Sequence, residues 1–134
     1  MLASCLSAIH TARPSLTTLP RAIVDAVALA EGPIGTATAV ARRLGLDRFR
    51  LARLLRREGV PPLHRLSGWA IVLSWVLAAE QDGVSLCWIA FHTHRHPSAC
   101  YRLVKEVTGL SWSEVRLRGS GWIERELLGQ FKPG

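Results

Sequence analysis

The chain has 134 residues, 49% of them hydrophobic, with 17 Lys+Arg against 10 Asp+Glu and a formal net charge of +7. This length and apolar content suit one compact domain, or two small subdomains sharing a linker. The basic excess favours nucleic acid or an anionic membrane as partner, although a charge run is also what a solvated helix face looks like.

Three cysteines, an odd number in no disulfide-framework spacing, suggest a reducing compartment. The opening "MLASC" mimics a lipoprotein cleavage box but lacks a basic stretch and an apolar run before Cys5, so it is not read as a signal. The longest apolar run, "WAIVLSWVLAA" (69–79), falls short of the roughly 20 residues that span a bilayer. A soluble cytoplasmic protein is expected, with no membrane partner.

Residues 1–18 show no clear pattern and are expected to be loosely held. "LPRAIVDAVALAEGP" (19–33) has Pro20 near its start, Gly32-Pro33 at its end, and Ile23, Val27 and Ala30 at helical spacing. Next comes a repeat. Shifted by 49 residues, "TATAVARRLGLDRFRLARLLRR" (36–57) falls on "SLCWIAFHTHRHPSACYRLVKE" (85–106) without a gap. Thr36 and Ser85 can each cap a short helix, and Ala41 and Ala90 are small residues in its middle. Gly45 breaks the first helix by taking positive φ, and His94 holds the same place in the second copy, where it would need a left-handed backbone. Asp47 caps the following helix in one copy; His96 does so in the other, with Pro97 at the first helical position. Leu51, Leu54 and Leu55 then recur as Cys100, Leu103 and Val104. Each copy thus reads as helix, tight turn, helix, the shape of a helix-turn-helix.

Between the copies, a helix over 63–80 is framed by Pro61-Pro62 and Asp82-Gly83. Eighteen residues span about 27 Å, of the order of one DNA turn, about 34 Å, so a rigid connector could set two readers at that pitch. Its residues Trp69, Ile71, Val72, Leu73, Trp75, Val76 and Leu77 are apolar on nearly every side. It should therefore meet the N-terminal segment, the 122–131 tail or a second chain. After the second copy, Ser111 and Glu114 form a capping box opening a helix over 112–118. Gly119 and Gly121 are expected to end it, and "WIEREL" (122–127) to add a turn or two within a tail over 119–134. No strand alternation is present, so the fold class is all-α: two helix-turn-helix subdomains joined by a long connector helix, homeodomain-like in kind.

This organisation resembles the DNA-binding domain of the AraC/XylS family of bacterial transcription regulators. The resemblance covers roughly 20–118, here taken as a domain over 19–118, and rests on "AVARRLGLDRFRLARLLRREGVPP", "VSLCWIA" and "CYRLVKEVTGLSWSEVR". The chain departs from the family pattern in four places. His94-Arg95 stand where Gly-Phe is usual, the second turn is a residue shorter, Trp112 stands where proline is preferred, and the connector lacks the family's charged residues over 69–79. The resemblance implies a sequence-specific DNA-binding transcription regulator that reads a bipartite site on double-stranded DNA. RNA polymerase or an effector subunit would be a further partner, and the chain would be a monomer or weak dimer.

On the first recognition helix, 47–57, Arg48 and Arg50 are expected to meet base edges, because arginine can hold guanine with two bonds. Arg43, Arg53 and Arg56 are expected to meet phosphates, which position without specifying. On the second, 97–106, base contacts are expected from His96, Ser98, Ala99 and Arg102, and phosphate contacts from Tyr101 and Lys105, with Arg95 flanking. For Tyr101 the competing reading is cover for the helix end, and for Cys100 a core position.

The alternative function is a diverged helix-turn-helix module that binds a protein through the apolar connector. A zinc site from Cys87, His92, His94, His96 and Cys100 has enough ligands, and His92 and His96 stand at His-x3-His spacing, but there is no Cys-x2-Cys pair, and the repeat puts Cys87 on the first helix of its copy and Cys100 in the core of the next. No metal or other cofactor is expected. The chain also lacks a paired-carboxylate pattern, a nucleophile motif and a phosphate-cradling glycine loop, so it is not read as an enzyme and no catalytic residue is assigned.

Overall fold

The computed structural model describes Gly45 and residues 47–131. Among these residues there are six helices and no strand, so the described part is all-α. The helices are α1 (Arg48–Arg57), α2 (Leu63–Asp82), α3 (Leu86–His92), α4 (Pro97–Thr108), α5 (Trp112–Arg118) and α6 (Ser120–Gly129). The helix expected over 19–33, the first helix of the first copy with Thr36 and Ala41, and residues 1–18 lie outside the described residues.

Local chemistry explains most helix boundaries. Asp47 starts α1, its Oδ1 accepting the N–H groups of Phe49 and Arg50 at 2.9 Å each. At the other end the Val60 N–H reaches back to the Leu55 carbonyl at 2.9 Å, and that of Gly59 to Arg56 at 3.1 Å. Val60 and Leu55 are both buried, the apolar contact that accompanies this type of helix ending. Ser85 caps α3 through the Trp88 N–H. Ser111 and Glu114 form a full capping box at α5, and the bonds from Ser111 hold the Glu114 carboxyl below its usual range.

α2 is the centre of the fold. From Leu66 to Val76 every residue but Ser74 is buried, and Leu66, Val72 and Val76 are wholly enclosed. α3, α4 and α6 pack on it. The core is one continuous cluster running from Leu51 and Leu55 of α1 through α2 to Val115, Ile123, Leu127 and Phe131. Among the described residues no single helix is long and apolar enough to cross a membrane.

Two expectations need revision. Gly121 does not end a helix: α6 begins at Ser120 and runs ten residues. Glu80, at the far end of α2, accepts the Ser120 N–H at 3.1 Å and supplies the start from another helix. α6 then buries Ile123 and Leu127, and the Trp122 ring lies 6.3 Å from that of Trp69. Residues 119–131 are thus part of the cover that α2 required. Second, α4 does not stand off the far end of α2. α4 lies back along α2: Arg95, just before α4, sits 5.6 Å over the Trp75 ring, while Val107 near the end of α4 meets Gly68 in the first third of α2.

That crossing is tight. A Cβ at Gly68 would lie 2.8 Å from Val107 Cγ2, and valine is too stiff at χ1 to yield cheaply. Gly68→Ala should destabilise the protein despite the roughly 1 kcal/mol that alanine gains in a helix, because overpacking costs about 1–3 kcal/mol. In a Val107→Ala background the same change should become neutral or stabilising. Urea unfolding of the four proteins checks this, and additive effects would refute a clash between the two positions.

Candidate nucleic-acid interface

The two members of the 49-residue repeat meet the same fate wherever both are described. Asp47 caps α1 and His96 caps α4. Leu51 and Cys100 are 0% and 1% exposed, and Leu55 and Val104 are 3% and 0%. Gly45 and His94 both have positive φ, 69° and 57°. His94 is the only non-glycine among the described residues to do so.

The turn between α3 and α4 is closed by backbone bonds. The Arg95 N–H donates to the Ala90 carbonyl at 2.8 Å and that of His94 to Phe91 at 3.4 Å, a Schellman ending with His94 in the left-handed position. Arg95 is thereby set over Trp75, which favours a cation on the ring face. At the cap, His96 Nδ1 accepts the Ser98 N–H at 3.2 Å and faces the Ser98 hydroxyl at 2.7 Å. Nδ1 is thus committed as an acceptor, which leaves Nε2 as the N–H donor of the neutral ring.

α4 divides cleanly around its axis. Cys100 and Val104 are buried, with Leu103 and Val107 half-buried beside them; Ser98, Ala99, Tyr101, Arg102, Lys105 and Glu106 form one exposed arc. His96 is exposed at the head of that arc. All six residues assigned to DNA on the second unit (His96, Ser98, Ala99, Tyr101, Arg102, Lys105) therefore share one surface. Glu106 belongs to it as well, an acid the sequence assignment leaves out. The Tyr101 hydroxyl lies 3.8 Å from Cys87 Sγ in the first turn of α3, and that contact is the main reason its hydroxyl pKa is raised. Burial pushes the Cys100 thiol up, in keeping with a core position.

On α1, Arg50, Arg53, Arg56 and Arg57 are exposed on the side opposite Leu51 and Leu55. Arg48 is the first residue of this helix, and Arg43 lies outside the described residues. α1 itself contains no acidic residue.

The histidines and cysteines of 87–100 disperse. His92 stacks on Trp88, His94 turns the chain, His96 caps α4, Cys87 is exposed and Cys100 is buried. Among the described residues no group of three or more His, Cys, Asp and Glu side chains could hold a metal ion.

One surface feature goes unnoticed in the sequence. Trp88 and Phe91 are 49% and 78% exposed on the outer side of α3. Their spacing of three was the available signal, but Leu86, Ile89 and Ala90 make an equally apolar stripe on the other side, and that stripe is the one buried. Comparison with family models, with curated proteins and with solved structures finds no match.

Two substitutions test the turn. His94→Gly should raise stability by up to about 1 kcal/mol, since a left-handed residue with a Cβ costs roughly 1–2 kcal/mol and glycine returns part of that as unfolded-state entropy. A fall in the urea midpoint would count against a strained His94. His96→Asp installs a preferred helix cap and should leave stability unchanged or raise it by about 0.5–1 kcal/mol, measured in the same way.

Proposed function

We propose that the chain is a sequence-specific DNA-binding transcription regulator of the AraC/XylS kind, its two helix-turn-helix units reading a bipartite site on double-stranded DNA. The observation that carries this reading is the exposed arc of α1, with arginines at 50, 53, 56 and 57 and no acid within the helix. A helix face of this kind suits a phosphate backbone, whose neutralisation releases counterions and drives affinity. The repeated cap, buried pair and left-handed turn support α4 as the second reader, with Ser98, Arg102 and the Nε2 donor of His96 at the base edges and Tyr101 and Lys105 toward the backbone. Arg50 and Arg48, on the first turn of α1, take the base-reading role there; Arg53 and Arg56 take phosphates.

The competing reading, a protein-binding module acting through its connector, loses its surface. The apolar side chains of α2 between Leu66 and Val76 are buried by the chain's own helices.

Selection of bound sequences from random duplexes, followed by polarisation titrations at several salt concentrations, tests the proposal. Affinity should fall with salt with a log–log slope of about −0.9 per phosphate neutralised. Arg50→Ala should cost about 1–3 kcal/mol at particular base pairs, whereas Lys105→Ala should weaken all sequences evenly. His96→Asp, neutral or favourable for the fold, should weaken duplex binding by placing an anion at the groove. No enriched motif would defeat sequence-specific reading, and identical losses on every sequence from Arg50→Ala and Lys105→Ala would defeat the division of roles.

A further inference from the structure

The outer side of α3 is aromatic and ordered by its own contacts. The Trp88 and His92 rings stack with centroids 3.6 Å apart and planes 20° apart. Phe91 meets the His92 ring edge-on at 5.8 Å and 67°. His92 is fixed in turn by Nδ1 at 2.8 Å from the Trp88 carbonyl oxygen. Little rotamer freedom remains to be lost when a flat ligand settles on these rings.

This face does not end at α3. The Cys87–Tyr101 contact joins it to the exposed arc of α4, where Tyr101 is followed by Lys105 and Arg102. Exposed rings thus stand on a helix whose Cys87 touches the cation-bearing arc of α4, on a chain of net charge +7. A polyanion with its own exposed flat rings complements both halves. Duplex DNA supplies the charge but keeps its bases stacked inside; a single strand offers both, its bases stacking on aromatic side chains while its phosphates meet cations.

We infer that the Trp88–Phe91–His92 face of α3, with Tyr101, Arg102 and Lys105 of α4, is a stacking platform for single-stranded nucleic acid. It goes beyond duplex reading, since Trp88 and Phe91 have no part in that proposal.

The test uses the full chain and two labelled probes at one salt concentration: a 20-nucleotide oligothymidylate and a random-sequence duplex of 20 base pairs. Polarisation titrations are run on the wild type, Trp88→Ala, Phe91→Ala and Trp88→Phe. Both alanine variants should weaken oligothymidylate binding by about 5- to 100-fold each, the range for loss of a base-stacking ring. Trp88→Phe should retain most of the affinity, and duplex affinity should stay within about two-fold throughout. Both alanine sites are exposed, and circular dichroism checks that each variant is folded. If the two alanine variants leave oligothymidylate binding within two-fold of wild type, or weaken both probes equally, the platform is refuted. It is refuted too if light scattering shows a wild-type dimer that Phe91→Ala splits while oligothymidylate binding is unchanged, because the face would then join two copies of the chain. Failure of the duplex arm alone would instead strike the transcription-regulator proposal and leave this one standing.

Discussion

An apolar helix with no polar side must be enclosed, and α2 is such a helix. Its residues from Leu66 to Val76 would leave a large apolar surface in water if only one face were covered; each fully buried Leu, Ile or Val contributes roughly 1.5–3 kcal/mol. The other helices meet this demand in different ways. α6 closes one side with Ile123, Leu127 and the Trp122 ring. α4 closes another, and Gly68 lets it come so close that a single methyl group would strike Val107. The orientation of α4 follows from this seam: once Cys100, Val104 and Val107 are turned inward, Ser98, Arg102 and Lys105 are left on the outer side and Tyr101 at the edge shared with Cys87 of α3. The exposed chemistry of α4 is thus a consequence of the burial of α2.

The turn before α4 depends on the same seam. Holding Arg95 over Trp75 and Cys100 in the core fixes where the chain must reverse. A left-handed residue at 94 makes the reversal in the space allowed, and histidine accepts that conformation at some cost in energy. The neighbouring His96 offsets part of the end effect by accepting the Ser98 N–H, one of the donors a helix start leaves unpaired. Two histidines two residues apart thus serve backbone geometry, and this explains why they do not converge as ligands: one side chain follows a left-handed residue's direction, the other bends back onto its own helix.

What could be read from the sequence was what is decided within a few residues. The caps at Asp47, Ser85, His96 and Ser111, the left-handed position at His94 and the bounds of α5 follow from contacts spanning two to five residues. What was missed is decided at a distance. The start of α6 depends on Glu80, forty residues before Ser120, so Gly121 seemed a stop when it lies inside a helix. The return of α4 along α2 depends on a tertiary crossing at Gly68 and Val107 that helix length alone does not show. The face of α3 was hidden for another reason: both of its sides are apolar, and periodicity cannot tell which one a neighbour will cover. The arginines proposed for α1 were plain as a charge run, but only burial of Leu51 and Leu55 shows that Arg50, Arg53, Arg56 and Arg57 share the opposite side.

The two exposed surfaces differ in kind, and the difference bears on how each would hold a partner. α1 presents four arginines and no acid from within the helix, so attraction there is largely coulombic and falls as salt shortens the Debye length to about 8 Å at physiological strength. α4 sets Arg102 and Lys105 beside Glu106, which offsets part of their field, and it adjoins rings on α3 whose contact with a flat ligand salt does not screen. On the proposed reading, long-range attraction falls chiefly to α1, and discrimination to short-range contacts: Arg48 and Arg50 at base edges there, and the surfaces of α4 and α3. A ligand held by the field of α1 alone would be any polyanion; one that also fits the His96–Ser98 cap, or stacks on Phe91 and Trp88, would gain from the second surface. Selectivity on that reading rests on the contacts that depend least on net charge, because a shape-dependent contact can distinguish partners that a field treats alike.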